Sequence, residues 1–254
     1  MNYRAVLFDL GNTLLVYAQA GRWREFCLER LEEMHPLVCE TLGRPAVPAG
    51  EFAARVDEVI GRRGKVIEDS GRSWHFAERL REGLAAVGLR ADGDSLSQLT
   101  DAFYEPIRAC TKPYPDTRET LESLKGLGMG LAVVTNSPWD TPTRLLRGDL
   151  ERWGLADFFE AFVCSGELPW RKPNPEFMWQ AGRELGVEPE ACLVAGDSLA
   201  ADVAGARAAR MTSAWVNREG AVLPPDGPQP DHVAKSLLEV LGILKGRTSP
   251  PQRY

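Results

Sequence analysis

The sequence predicts an α/β fold: a Rossmann-like doubly wound parallel sheet forms the core, and an all-helical unit is inserted into it. Three observations carry this expectation. Short apolar runs bounded by Gly, Pro, Asp or Asn recur along the chain, helical patterns separate most of them, and one long strandless stretch follows the first run. Apolar runs alternating with amphipathic helices imply strands buried on both faces, which is the habit of parallel sheets.

The expected strands are residues 5–8, 131–135, 162–164, 192–195 and 213–216. Asp116 with Glu119 reads as a capping box opening the helix before the second of these, and Asn174 reads as the cap of a later helix that Gly186 would stop. Between the first two strands, apolar residues recur at helical spacing in four groups. They are Trp23, Phe26, Cys27 and Leu31; Phe52, Val56, Val59 and Ile60; Trp74, Ala77, Leu80 and Leu84; and Leu96, Leu99, Phe103 and Ile107. Residues 43–48, 61–64 and 89–94 punctuate them. The expected organisation is therefore a core of residues 1–15 and 113–245 and a helical cap of residues 16–112. A Pro-rich loop is expected at 223–230 and a disordered tail at 246–254. An insertion at that point would stand beside the carboxyl edge of the sheet, where open sheets of this class bind ligands.

Composition narrows the partner. The chain has 254 residues, 44% hydrophobic and 26% charged, with a formal charge of −6. That balance argues against nucleic acid and anionic membranes, which select basic surfaces, and leaves a small molecule as the expected partner. Five scattered cysteines without a C-x-x-C pair fit a reduced compartment, so a soluble, cytoplasmic protein is expected. No apolar run reaches transmembrane length. Oligomeric state is not legible.

Four segments carry chemistry. Asp9 in Phe8-Asp9-Leu10-Gly11-Asn12-Thr13 places a carboxylate at a strand end before a turn. Val133-Val134-Thr135-Asn136-Ser137 ends a second strand in a hydroxyl and a turn whose amides could meet an anion. Lys172 in Arg171-Lys172-Pro173-Asn174-Pro175 stands just before a helix N-terminus, where anions are favoured. Asp197 in Ala195-Gly196-Asp197-Ser198, with Asp202 beyond, sets two carboxylates around a strand-to-helix turn. Singly each has a bland reading: an Asx or Ser/Thr turn, a solvated lysine, a helix-capping aspartate. Their order, each at a strand end or helix start, favours a shared site.

Taken together, FDLGNTL, VVTNS, RKPNP and GDSLAADVAGARAA resemble the four motifs of the haloacid dehalogenase superfamily, from Tyr3 to about Leu244. The resemblance implies a magnesium-dependent phosphohydrolase of a small phosphorylated metabolite, with Asp9 as nucleophile and an aspartyl-phosphate intermediate. It further implies Mg2+ held by Asp9, the Gly11 carbonyl, Asp197 and Asp202, with Thr135, the Asn136 amide and Lys172 binding the phosphoryl group. Motif one departs from the family pattern, because most of its phosphatases carry a second aspartate where this chain has Gly11. The usual proton donor for the leaving group is therefore missing; Asn12, His75, Glu68 or water could replace it, and nothing in the sequence selects among them.

Two alternatives remain. A metal-independent 2-haloacid dehalogenase uses the same nucleophile, but Asp197 with Asp202 points to a metal. A catalytically silent binding protein draws support from Gly11 alone. In the insertion, the tryptophans Trp23 and Trp74 read as core, and the arginines Arg22, Arg24 and Arg72 as solvated or paired.

Overall fold

The computed structural model describes residues 3–17, 22–70 and 73–246. Arg72 and the tail from residue 247 lie outside the described residues, as do the side chains of Trp23, Arg24 and Glu68.

Six strands form one sheet in the order β5-β4-β1-β6-β7-β8. They are β1 (Ala5–Phe8), β4 (Gly130–Thr135), β5 (Ala161–Cys164), β6 (Cys192–Gly196), β7 (Thr212–Val216) and β8 (His232–Ala234), and every pairing is parallel. Five of them fall on the predicted runs. The sixth, β8, has no sequence signal because it is three residues long and its Val233 is exposed.

Alternation along the strands sorts the core into two layers. Val6, Phe8, Leu131, Val133, Leu193 and Ala195 face one side, where α5 (Thr117–Gly126), α6 (Thr143–Arg152) and α9 (Leu237–Leu244) supply Leu121, Leu124, Leu146, Leu150, Val240 and others. Ala5, Leu7, Ala132, Val134 and Val194 face the other side, against Phe177, Met178 and Ala181 of α7 (Pro175–Leu185) and Ala206 of α8 (Ala204–Ala208). Central β1 is fully buried, its four residues paired with β4 on one flank and β6 on the other. The chain thus leaves β1 in opposite directions on the two flanks, and a crevice opens at the carboxyl ends of such strands.

Four helices lie between β1 and β4: α1 (Trp23–Leu42), α2 (Ala49–Ser70), α3 (Phe76–Ala86) and α4 (Gly93–Cys110). Of their predicted stripes, Cys27, Leu31, Phe52, Val56, Ile60, Leu80, Leu84, Leu96, Leu99 and Phe103 close a separate core, joined by Phe76, which the predicted stripe does not include; Ile107 of the fourth stripe packs into the sheet core instead. At Gly83 the approach of α2 is so close that a Cβ would stand 2.8 Å from Val56 Cγ1. Two short strands, β2 (Leu15–Val16) and β3 (Lys112–Pro113), pair antiparallel where the chain enters and leaves these helices. Two residues each are too few to show a period.

Two local expectations fail. Residues 61–64 do not break α2, which runs on to Ser70, because isolated glycines are tolerated in a helix whose apolar stripe is buried. Asp116 forms no side-chain cap; its carboxylate instead accepts from Arg218 and from the Leu237 amide at 2.7 Å. The cap at Asn174 and the left-handed stop at Gly186, φ 63°, are as expected. Among the described residues no helix is long and apolar enough to cross a membrane, and no cysteine is in a disulfide.

Candidate active site

Parallel register brings the four motif segments to one edge. Phe8 is level with Val133 and Ala195, so Asp9 stands one residue beyond that level, Thr135 and Asp197 two and Asn136 three, all at the carboxyl edge of β1, β4 and β6. The Asp9 amide still donates to the Ala195 carbonyl at 2.9 Å, which holds the carboxylate at the strand end.

Asp9, Asp197 and Asp202 each offer an oxygen, and these three oxygens lie within 4.8 Å of one another. Asp202 reaches the group because Gly196 has no side chain: a Cβ there would stand 2.2 Å from Asp202 Cγ and 2.3 Å from Oδ2. A glycine at a strand end is the signal that could have predicted this close approach. Asp202 is fixed further by the Ser198 amide, which donates to Oδ2 at 3.0 Å. The helix cap assigned in the bland reading to Asp197 is made by Ser198, whose Oγ accepts from the Ala201 amide.

Lys172 enters the same cluster from the loop before α7. Its Nζ donates to Asp9 Oδ1 and Asp202 Oδ1, both at 2.6 Å, and to the Val134 carbonyl at 2.9 Å, and the residue is 4% exposed. Asn136 holds the lysine backbone from both sides, accepting from its amide at 2.9 Å and donating to its carbonyl at 3.1 Å. The sequence motif implies only a backbone role for Asn136, and a clamp on another residue's backbone has no spacing signal.

Burial sets the electrostatics. It raises the Asp9 carboxyl to about 7; Lys172 pulls it down, while Asp202 and Asp197 push it up. Burial, followed by the neighbouring Asp202, raises Asp197 to about 6 against the pull of Lys172. For Lys172 burial favours the neutral amine, but Asp202 and Asp9 outweigh it and hold the ammonium above its ordinary range. Three carboxylates crowded around one ammonium have a surplus of hard oxygen donors, the set that suits Mg2+ or a similar cation.

Thr135 ends β4 and is 3% exposed. Gly11 lies in the turn after Asp9, outside the left-handed region, and among the described residues a Cβ there would meet only the Tyr17 ring, at 3.4 and 3.6 Å. Asn12 takes the left-handed conformation instead, φ 57°, and its Nδ2 donates to Asp197 Oδ2 at 3.4 Å. Of the expected stand-ins for a proton donor, Asn12 is therefore beside the carboxylates, and His75 is engaged elsewhere, its Nδ1 against the Gly166 carbonyl. Arg22 is exposed and pairs with Glu29 at 3.5 Å. Trp139, which the sequence reading passed over, packs against Phe26 and Phe103 of the helical insertion.

Comparison with known proteins gives the family and the fold. A family model described as haloacid dehalogenase-like hydrolase matches residues 3–210. A phosphoglycolate phosphatase of Neisseria meningitidis is 33% identical over 246 residues, 95% of this chain and 94% of that protein. A glyceraldehyde 3-phosphate phosphatase of Methanopyrus kandleri is 30% identical over 219 residues, 85% of this chain and 84% of its own. Among solved structures, a 2-haloacid dehalogenase from Pseudomonas syringae superposes with a TM-score of 0.69 at 26% identity, covering 97% of this chain and all of that one.

Proposed function

The chain belongs to the haloacid dehalogenase-like hydrolases, and from that premise we propose that it hydrolyses a small phosphate monoester through a phosphorylated Asp9. The observation that carries the reading is the convergence of Asp9, Asp197 and Asp202 around Lys172. Those three carboxylates and the Gly11 carbonyl are the ligands proposed for Mg2+. A cation bound there would lend positive charge to a phosphoryl group that the carboxylates alone would repel.

The chain's own groups then divide the work. An Asp9 oxygen attacks phosphorus, the bond to the ester oxygen breaks, and the alcohol departs with a proton taken from solvent or a neighbouring group. Lys172 and Thr135 stabilise the negative charge that builds on the transferring oxygens, and the Asn136 amide assists. Asn136 also keeps Lys172 in place through its backbone. Water next attacks the acyl phosphate, which releases inorganic phosphate and restores the Asp9 carboxylate. Residues 16–112 act in this proposal as a cap that excludes bulk water and selects the ester.

A second reading, hydrolysis of a carbon–halogen bond, is favoured by the likeness to the dehalogenase. One experiment separates the two: a panel of phosphate esters and 2-haloacids assayed with Mg2+ and with excess EDTA, for the wild type and Asp9→Asn. Phosphate release that needs Mg2+ and is lost in Asp9→Asn, with folding retained, supports the proposal. Halide release that is indifferent to EDTA overturns it.

A further inference from the structure

We propose that Asp140 is a positioning residue that locks the helical cap to the phosphate-binding loop, so that the loop is set only when the cap is closed; this rests on the function proposed above. Asp140 lies just beyond β4 and is fully buried. Its carboxylate meets groups from two sides. From the insertion come the Trp74 amide, donating to Oδ2 at 3.1 Å, and Arg79 of α3, whose Nη2 stands 3.5 Å from Oδ2. From the core come Ser165 Oγ, donating to Oδ1 at 2.6 Å, and Arg171 Nη1, 3.6 Å from Oδ1.

Both core contacts lead to the site. Ser165 Oγ accepts from the Ser137 amide at 3.0 Å, and Ser137 adjoins Asn136. Arg171 adjoins Lys172 in the chain, and Asn136 binds the Lys172 backbone. Displacing the Asp140 carboxylate would therefore disturb the phosphate-binding turn and the lysine together.

The loop is built to carry this coupling. Trp139 and Asp140 have φ of 51° and 54°, a left-handed pair without glycine that only surrounding contacts can enforce. Trp139 is clamped against Phe26 and Phe103 of the insertion. On the core side, the loop after β5 presses so closely that a Cβ on Gly166 would fall 1.9 Å from the Thr141 carbonyl oxygen. Neighbouring seam contacts follow the same line: Ser73 Oγ donates to the Trp170 carbonyl at 2.9 Å, and His75 meets the Gly166 carbonyl. Arg79 is 3% exposed, so an open cap would leave a buried arginine and a buried aspartate without each other.

The test uses the full chain with Asp140→Asn, Arg79→Gln and the double variant, read by hydrogen exchange and by steady-state kinetics on a preferred ester and on acetyl phosphate. Asp140→Asn should speed exchange at residues 73–76 and at 137–141, and lower kcat on both substrates by about 10-fold with KM little changed. That loss lies inside the roughly 2- to 150-fold range of coupled contacts. Arg79→Gln, which frees the cap side of the latch, should speed exchange at 73–76 and, through Asp140, at 137–141, and slow both substrates, and the double variant should be no worse than Asp140→Asn. Unchanged exchange at 137–141 in Asp140→Asn, or additive losses in the double variant, would overturn the coupling. The exchange arm needs no substrate, so a wild type without phosphatase activity but with this exchange pattern overturns the proposed reaction and still supports the latch. Arg79→Gln keeps the test decisive if Asp140→Asn does not fold, since exchange at 137–141 left at the wild-type rate in that variant also overturns the proposal.

Discussion

Restoring a carboxyl at position 11 should convert an enzyme that leans on its leaving group into one that assists it. In the wild type no carboxylic acid stands at this position to protonate the departing oxygen, so kcat/KM should fall steeply as the leaving-group pKa rises. A positioned acid is typically worth about 100- to 10,000-fold, or roughly 3 to 5 kcal/mol of barrier. The backbone permits the change: Gly11 is not left-handed, and among the described residues a Cβ would touch only Tyr17 Cδ2 at 3.4 Å and Cε2 at 3.6 Å. Tyr17 is held there by its hydroxyl, which donates to the buried Asp149 at 3.1 Å, so the new side chain must lie along the ring and cannot displace it.

The control is Gly11→Ala, where the lost freedom of the unfolded chain should stabilise by about 0.4 to 1 kcal/mol. Gly11→Asp adds a fourth carboxylate beside Asp9, Asp197 and Asp202, so its Tm without Mg2+ should fall below that of Gly11→Ala and recover when Mg2+ is added. The assay is log kcat/KM against leaving-group pKa for aryl and alkyl phosphates. Gly11→Asp should lift alkyl esters at least about 10-fold, a fraction of the full contribution of a positioned acid, and leave aryl esters nearly unchanged. A flat wild-type plot, with alkyl and aryl esters turned over alike, would refute the reasoning, because a proton donor would already be at work.

Three further outcomes follow from the same cluster. Lys172→Met removes two 2.6 Å bonds to carboxylates; it should lower kcat about 100- to 1000-fold and destabilise the metal-free protein by about 3 to 5 kcal/mol, with thermal melts showing a partial rescue by Mg2+. Gly196→Ala forces a Cβ to within 2.2 Å of Asp202 Cγ, so it should cost about 1 to 3 kcal/mol and weaken Mg2+ in a titration followed by Tm, and unchanged Mg2+ affinity would count against Asp202 as a ligand. The pH dependence has a definite sign: carboxyls raised to about 7 and about 6 hold protons that a cation must displace, so the metal-free protein should lose stability as pH rises from about 4 to about 7 while the Mg2+-induced rise in Tm grows over the same interval. A Mg2+ increment that stays constant or shrinks with rising pH would contradict the assignment of Asp9 and Asp197 as ligands.

How much of this was legible depends on whether the signal was local. Strand runs of three to five residues and stripes such as Phe52, Val56 and Ile60 are local signals, so five strands of the sheet and the four helices could be read. Asp9, Lys172 and Asp197 stand at strand ends or helix starts; register carries Asp9 and Asp197 to one edge once the sheet is parallel, and the loop before α7 brings Lys172 to them. Asp116 was misread because its alternatives are remote: Arg218 and the Leu237 amide come from 102 and 121 residues away. Asn136 and Asp140 were opaque for the same reason. A side chain that clamps another residue's backbone, or one that bridges two structural layers, leaves no trace in spacing.

The count of charges is what separates the two chemistries found among the chain's neighbours. In the proposed function the nucleophilic carboxylate needs one negative group and one cation to orient it, and the pair of Asp9 and Lys172 would supply both. Asp197 and Asp202 are then surplus, and like charges about 4 Å apart repel by about 4 kcal/mol per pair at an effective dielectric near 20. Burying that repulsion has no use in displacing halide from a carbon that bears no phosphate. It becomes useful when a divalent cation is held among the carboxylates and the incoming group is itself a dianion, since the cation then neutralises the cluster and the substrate at once. Burial first, with Asp202 and Asp197 adding to it, raises the Asp9 carboxyl to about 7 against the pull of Lys172, so a proton and a cation compete for the same oxygens. Lys172 cannot play that part alone, because one positive charge shared between Asp9 and Asp202 leaves Asp197 unmatched and a phosphoryl group still facing net negative charge.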